Sequence, residues 1–490
     1  MSSEPKKVDR RKFIYAGLGA VALIAIGAAA YVVMNPPVMT QTVTTSTTVP
    51  TTSVVTTTVP TTSVVTSTVP TTSITTTTVM PSPALIEYWA DGINVPEDRD
   101  PFYKWNEDVA KKYPWIHLTF VEKPYAEIRD RLISACLARN PPHMAQMVNS
   151  NSYEFIPFSL EITQEMLDKI GVKTEDFNAP SLSTCKDAEG KLYGLPLTSQ
   201  GMAFIWHKGI CEKAGINSPP TTWEELADFS KKITDYYKSI GQEVYGYNLC
   251  LRYNHGNTWF RFLPIVYSYG GTIVEVASSR EAKVTINSQP VIDAVKLYVR
   301  MYAIDKSVPP TAFTDTLTEG LEYMLRGKVA YAIGHTHHVK YLIDKGLPEE
   351  KIGYDLYPVG PKGRFAVLGG WNWHLFKDRI KTKDELEACL LALKVYYEPD
   401  RQASWFIFSN PAYIPAYETS IWKEAEKKYW YLKPYVEMAK YAVPSPPIAE
   451  WGVISLQIIP KMLQYACSKE KTPEEAVQWA EQEIKNLLKK

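Results

Sequence analysis

No Cys-x-x-Cys pair, no Gly-x-Ser-x-Gly and no His-Glu-x-x-His occurs anywhere in the 490 residues. Each absence removes a class of chemistry. Without paired cysteines a zinc knuckle or a thioredoxin-type centre has no ligands. Without a nucleophile elbow or a zinc-protease helix the common hydrolase signatures are missing. The six cysteines (Cys136, Cys185, Cys211, Cys250, Cys389, Cys467) are scattered. In an exported chain one or two disulfides are open to them, and so is the plainer role of small core residues. Surplus charge is absent too, with 53 basic against 53 acidic side chains. A chain so balanced has no basic face to offer nucleic acid, which is excluded as a partner.

Charge is also missing locally. Residues 13–83 carry none, whereas the first twelve hold Lys6, Lys7, Arg10, Arg11 and Lys12 against Glu4 and Asp9. Residues 13–34 are a 22-residue uncharged run. At 1.5 Å per residue it spans a bilayer core of about 30 Å. That is longer than the 7–15 apolar residues of a cleaved signal peptide. The basic cluster before it places residues 1–12 in the cytoplasm and the rest of the chain outside. Arg10-Arg11-Lys12-Phe13-Ile14 reads equally as a twin-arginine export signal or as ordinary flanking charge. Ala28-Ala29-Ala30 offers a cleavage site, but the apolar run continues past it, and a retained anchor is the reading adopted.

Residues 35–83 lack glycine and are built almost wholly from Thr, Ser, Val and Pro. A ten-residue unit repeats, TTSVVTTTVP at 51–60 and TTSVVTSTVP at 61–70, with a degraded copy at 71–80. A proline in each intact unit interrupts any strand ladder. The composition predicts an extended, glycosylated stalk, of which the 44 residues 40–83 could reach roughly 130 Å at about 3.1 Å per residue.

From residue 84 the pattern becomes globular. Strands are expected at 85–90, 116–121 and 143–148, separated by helices at 101–112 and 126–138, where Ile128, Leu132, Ile133, Ala135 and Cys136 recur at helical spacing. Strands alternating with helices of this length argue for βαβ units and a parallel sheet. In such sheets a ligand sits beyond the carboxyl ends of the strands, here Trp89-Ala90-Asp91 and the stretch from Val148 to Tyr153. Thr222 with Glu225 three residues later marks a helix start.

A set of ordered motifs follows: Tyr193-Gly194-Leu195-Pro196, the strand ending Ile205-Trp206-His207-Lys208, CEKAGINSPPTTWEEL at 211–226, Tyr245-Gly246-Tyr247 before Ser268-Tyr269-Gly270-Gly271, Arg326-Gly327-Lys328-Val329-Ala330-Tyr331 leading to Gly334, Pro358-Val359-Gly360-Pro361 before Leu368-Gly369-Gly370, and Thr472-Pro473-Glu474-Glu475-Ala476. In this order they resemble the maltose-binding-like extracellular solute-binding proteins of ABC importers, in the anchored, Ser/Thr-stalked form seen in archaea. The resemblance covers residues 84–490. One departure is Pro141-Pro142-His143, where family members commonly have Pro-Asp, so nothing is carried over to His143.

The resemblance implies an α/β fold of two lobes, the type II periplasmic-binding-protein-like arrangement, with a hinge and a ligand cleft between the lobes. One lobe is expected from 84–195 with 358–397, the other from 196–357 with 398–490, and the chain crosses near 193–197, 354–360 and 396–402. It implies a monomer that captures a small solute, closes on it and delivers it to the membrane subunits of an importer. No catalysis, cofactor or metal is implied.

A pyranose presents a C–H face to an aromatic ring and a rim of hydroxyls to carboxylates and amides. Ten residues are candidates for such a site: Trp89, Asp91, Asn151, Gln200, Trp259, His337, Trp371, Asn372, Trp373 and Trp451. Trp371 follows Gly369-Gly370, where the family runs its backbone close to ligand, and Trp451 matches the position of a sugar-stacking aromatic. Trp223 and Trp479 are expected to be structural. His335-Thr336-His337-His338 lacks the spacing and the acidic or thiol partner of a zinc site, and is expected to line the ligand or a surface loop. Two rivals stand beside a sugar carrier. One is the same fold carrying a peptide, polyamine or metal chelate. The other is an anchored hydrolase, for which Asp91, Asp98 and Glu154 exist but no spacing singles out a pair.

Overall fold

A computed structural model describes residues 41–49, 71–79, 82–91, 100–187, 189–278, 281–405 and 409–489. The basic segment, the expected anchor at 13–34 and both intact stalk repeats lie outside these residues. Among the described residues no helix is long and apolar enough to cross a membrane. They fall into two compact units, one of residues up to 85 with 107–117, the other of 86–106 with 118 onward.

In the first unit Gln41–Val49 (β1) pairs antiparallel with Thr71–Val79 (β2). An unpaired stalk was expected over these residues.

Most residues of the other described strands lie in the second unit. One five-stranded sheet has the order Ile116–Lys123 (β4), Ala84–Asp91 (β3), Met144–Val148 (β5), Trp371–Leu375 (β14), Leu195–Pro196 (β6). β3 and β5 are parallel, as the βαβ pattern predicts, but β14 runs antiparallel to both of its neighbours. The sheet is mixed because β14 returns from far along the chain rather than through a helical crossover. A four-stranded sheet has the order Ile352–Asp355 (β12), Ala203–His207 (β7), Val329–Gly334 (β11), Tyr245–Tyr247 (β8). Val274–Ser278 (β9) and Glu281–Val284 (β10) form a separate ribbon. Ala366–Val367 (β13) pairs in parallel with Ala442–Val443 (β15).

Each large sheet has its own hydrophobic core. Ile128, Leu132, Cys136, Ala145, Met147, Phe155 and Phe376 pack together beside the first. A larger cluster around the second joins Phe204, Ile205, Tyr331 and Ile333 to Trp223, Trp259, Tyr357, Val367 and Trp451. Helices follow their signals. Thr222 accepts the N–H of Glu225 at 3.1 Å, opening Trp223–Ser239, while the Glu225 carboxylate reaches back to the N–H of Thr221 rather than of Thr222. All six cysteines are buried and none forms a disulfide.

Three chain segments that pass between the two sheets run side by side. Gln200 and Gly369 exchange backbone hydrogen bonds at 2.9 and 2.6 Å, and the Leu197 N–H donates to the Trp371 carbonyl at 2.7 Å. Beyond them Ser199 donates to the Asn410 carbonyl and Ala412 to the Leu197 carbonyl, both at 2.9 Å. The passages therefore centre on 197–200, 369–371 and 410–412. Val367, two residues before Gly369, belongs to the larger core.

Two predictions come from the cores. Trp373 is fully buried among Tyr88, Trp105 and Tyr396, at ring separations of 5.8, 5.5 and 5.6 Å. Trp373→Ala is expected to cost about 3–5 kcal/mol of stability, readable in urea unfolding. Burial also holds the imidazoles of His207, His255 and His374 down to about 4. Above about pH 6.5 they are neutral in folded and unfolded chains alike. Below it the unfolded chain takes up protons that the folded chain refuses, so stability falls from there toward pH 4. The melting temperature should drop by about 5 °C or more between pH 7 and pH 4.5. The drop should be smaller in His374→Gln, and an equal drop in that variant would assign the acid sensitivity elsewhere.

Candidate functional site

The carboxyl ends of β3 and β5 open onto a cavity of about 390 Å³. Asp91 and Val148, the last residues of those strands, line it as the parallel pair requires, and Gln146 lies beneath them. The Gln146 Oε1 accepts the Asp91 N–H at 3.4 Å, which ties the two strand ends together. β14 delivers Trp371 at its first residue. Its N–H donates to the Thr198 hydroxyl at 3.1 Å, and its half-buried indole meets the ring of Tyr125 edge-on at 6.0 Å. Tyr125 opens the helix Tyr125–Leu137. Burial, with Asp91 adding and the Arg261 guanidinium opposing, raises its phenol to about 12. It is therefore a neutral O–H group at the cavity wall.

The facing wall comes from the starts of three helices. His255 precedes Gly256–Tyr269, Thr316 precedes Leu317–Leu325, and His335 precedes Thr336–Asp344. A side chain at each start satisfies an open N–H group there. His255 Nδ1 accepts from the Asn257 N–H at 3.2 Å, the Thr316 hydroxyl from the Thr318 N–H at 3.2 Å, and His338 Nδ1 from the His335 N–H at 2.9 Å. Because their Nδ1 atoms accept, the neutral imidazoles of His255 and His338 carry their proton on Nε2. Burial first, then His337, His335 and Arg261, push the His338 imidazole well below its ordinary value. The three histidines lie together, His335 stacked on His337 at 5.2 Å and His337 tilted against His338 at 4.0 Å. Arg252, Phe260 and Trp405 complete the wall. Arg261 lies behind it, fully buried, donating to the Asn257 carbonyl at 3.0 Å and the Ile333 carbonyl at 2.7 Å. No group of three or more His, Cys, Asp or Glu side chains among the described residues is arranged to hold a metal ion.

Of the ten sequence candidates, Asp91, Gln200, His337 and Trp371 line this cavity together. The other six lie elsewhere. Trp373 is on the same face of β14 as Trp371, because strand side chains alternate, but two residues deeper, inside the aromatic core. Asn372 points the other way and donates to the Ser152 and Thr184 hydroxyls at 2.6 and 2.9 Å. Trp89 donates to Glu87 at 2.7 Å and lies under the Lys123 ammonium. Asn151 faces a small adjoining cavity and donates to Glu154 at 3.0 Å. Trp259 and Trp451 are buried edge-on against each other at 5.7 Å in the larger core. Sequence reasoning missed Tyr125, His255, Thr316 and Thr318. The usable signal was positional: a polar residue just before a helical run, in a fold whose helix starts face the cleft.

The sequence matches the model of the bacterial extracellular solute-binding protein family over residues 95–385. A Brucella abortus protein named only as a binding protein is 28% identical over 212 residues, 43% of this chain and 47% of that protein. The chain thus spans about half the length of the curated relatives it matches. Among solved structures, maltose-bound MalE3 of T. maritima superposes with a TM-score of 0.71 at 22% identity, covering 82% of this chain and 99% of that one. A solute-binding protein of Thermotoga lettingae bound with α-D-tagatose gives 0.70 at 23%, covering 83% and 100%. The fold is that of the two-lobed binding proteins, and with more than half of its residues matched the chain belongs to the bacterial extracellular solute-binding protein family.

Proposed function

We propose that this protein captures a sugar or short oligosaccharide outside the cell and hands it to an ABC importer. The observation that carries the reading is the cavity itself. A half-buried tryptophan stands on one side, and a carboxylate, three amides and imidazole N–H donors stand around it. An aromatic face for C–H groups within a ring of fixed donors and acceptors is the pattern a pyranose needs. The cavity volume falls in the range of about 300–1,000 Å³ typical of small-molecule sites. Two proteins of the same fold were solved with maltose and with tagatose bound.

In this reading the two sheets are the centres of two lobes, and the segments at 197–200, 369–371 and 410–412 are the hinge. Closure about it buries the ligand, and the closed form is what the importer's membrane subunits engage. The protein works as a monomer without cofactor, metal or catalysis. The retained anchor at 13–34 holds it to the cell membrane, with the Thr/Ser/Pro segment as an archaeal-type stalk. A non-sugar cargo is the second reading, favoured by Arg252 in the cavity wall, since a guanidinium suits an anionic group.

A thermal-shift panel of glucose, xylose, maltose, cellobiose and tagatose is expected to contain at least one sugar that stabilises the protein. A ligand at 100 times its Kd adds about 2.7 kcal/mol. Trp371→Ala should weaken that sugar by about thirty-fold, from a stacking contact of about 0.5–1.5 kcal/mol and its buried area. Asp91→Asn should weaken it as well. Trp451→Ala should lower stability rather than remove a ligand contact. Wild-type affinity in Trp371→Ala, measured by calorimetry, would place the ligand elsewhere.

A further inference from the structure

The two cores meet at two places that are built alike. The first involves Gly452. Trp451 is anchored edge-on against Trp259 in the larger core, and Gly452 follows it. A Cβ on Gly452 would overlap the Glu154 Oε1 and stand 2.8 and 2.9 Å from Arg129 Nη2 and Nε. Arg129 and Glu154 belong to the first core's elements. They form a two-bonded ion pair, Nη2 to Oε2 at 2.5 Å and Nε to Oε1 at 3.1 Å, which Asn151 completes at 3.0 Å. The pair is largely covered, with side-chain exposures of 18% and 7%.

The second place is Gly256, the first residue of Gly256–Tyr269, where a Cβ would overlap the Tyr125 hydroxyl. Tyr125 and Arg129 lie one turn apart on the same helix. One helix of the first core therefore presents the Tyr125 hydroxyl and the Arg129 guanidinium, the latter paired with Glu154 of Ser152–Phe155, to two glycines of the second. Neither oxygen can give way freely. Glu154 is held by three hydrogen bonds, and Tyr125 is wedged against Trp371 and His255, at ring separations of 6.0 Å each.

We infer that Gly256 and Gly452 are the positioning residues for ligand capture: a bare backbone at both places lets the second lobe land on Tyr125 and on the Arg129–Glu154 pair. A methyl group at either position holds the lobes apart and lowers the fraction of molecules that can close. The apparent affinity falls with that fraction. An open form without these contacts would be left unchanged. This inference rests on the hinge reading above.

The test uses the full chain in detergent, with the first sugar of the panel that stabilises the wild type as probe. Calorimetry gives Kd, and hydrogen exchange is followed over 125–137 and 451–467 with and without sugar. In the wild type the sugar should slow exchange in both segments. Gly452→Ala and, independently, Gly256→Ala should raise Kd by about ten-fold or more and abolish that protection, with sugar-free melting temperatures close to wild type. Wild-type Kd and protection in both variants would overturn the inference and leave hinge closure standing. A lowered sugar-free melting temperature with unchanged affinity would also overturn it, by making the glycines packing residues. If no sugar in the panel stabilises the wild type, or none alters exchange at these segments, the hinge reading fails and this inference with it.

Discussion

The reciprocal backbone bonds between Gln200 and Gly369 are the constraint on which the rest of the cavity depends. They fix two chain passages side by side, and everything on the cavity floor is registered to them. Trp371 follows two residues after Gly369, and its N–H is held by Thr198, two residues before Gln200. Asn149 at the end of β5 adds a side-chain bond to the Gly369 carbonyl at 2.9 Å. The aromatic floor, the strand ends and the crossing segments are thus one hydrogen-bonded unit. A displacement of the crossing would carry the tryptophan with it, which is how a hinge can also be part of a binding surface.

The opposite wall has a different logic. Three helices begin there, and each start leaves N–H groups that must find acceptors. His255, Thr316 and His338 supply them from side chains that also line the cavity. Capping consumes Nδ1 of two imidazoles and so fixes which nitrogen faces a ligand. Burial keeps these rings neutral at ordinary pH, so they act as directional hydrogen-bond donors rather than charges. The fixed charges nearby are Asp91 on one wall, Arg252 on the other and Arg261 behind it, a disposition that orients a polar ligand without requiring it to be ionic.

Much of this protein was determined by its sequence alone. The alternation of strands and helices, the capping residues Thr222 and Thr472, and the carboxyl ends of β3 and β5 follow from local pattern and backbone chemistry. So did Asp91, Gln200, His337 and Trp371, which sit where a strand end, a passage between lobes or a helix start is legible. What only the tertiary structure decided is the fate of the remaining tryptophans and the antiparallel place of β14. Trp371 and Trp373 share a strand face and a composition; only the helices packed over the deeper one make it core. Trp451 and Trp259 bury each other across residues nearly two hundred apart, and Gly452 acquires meaning only because Glu154 arrives beside it. Periodicity records which face a side chain takes, but depth and partner are set by segments distant in the chain, and those are fixed when the two cores pack.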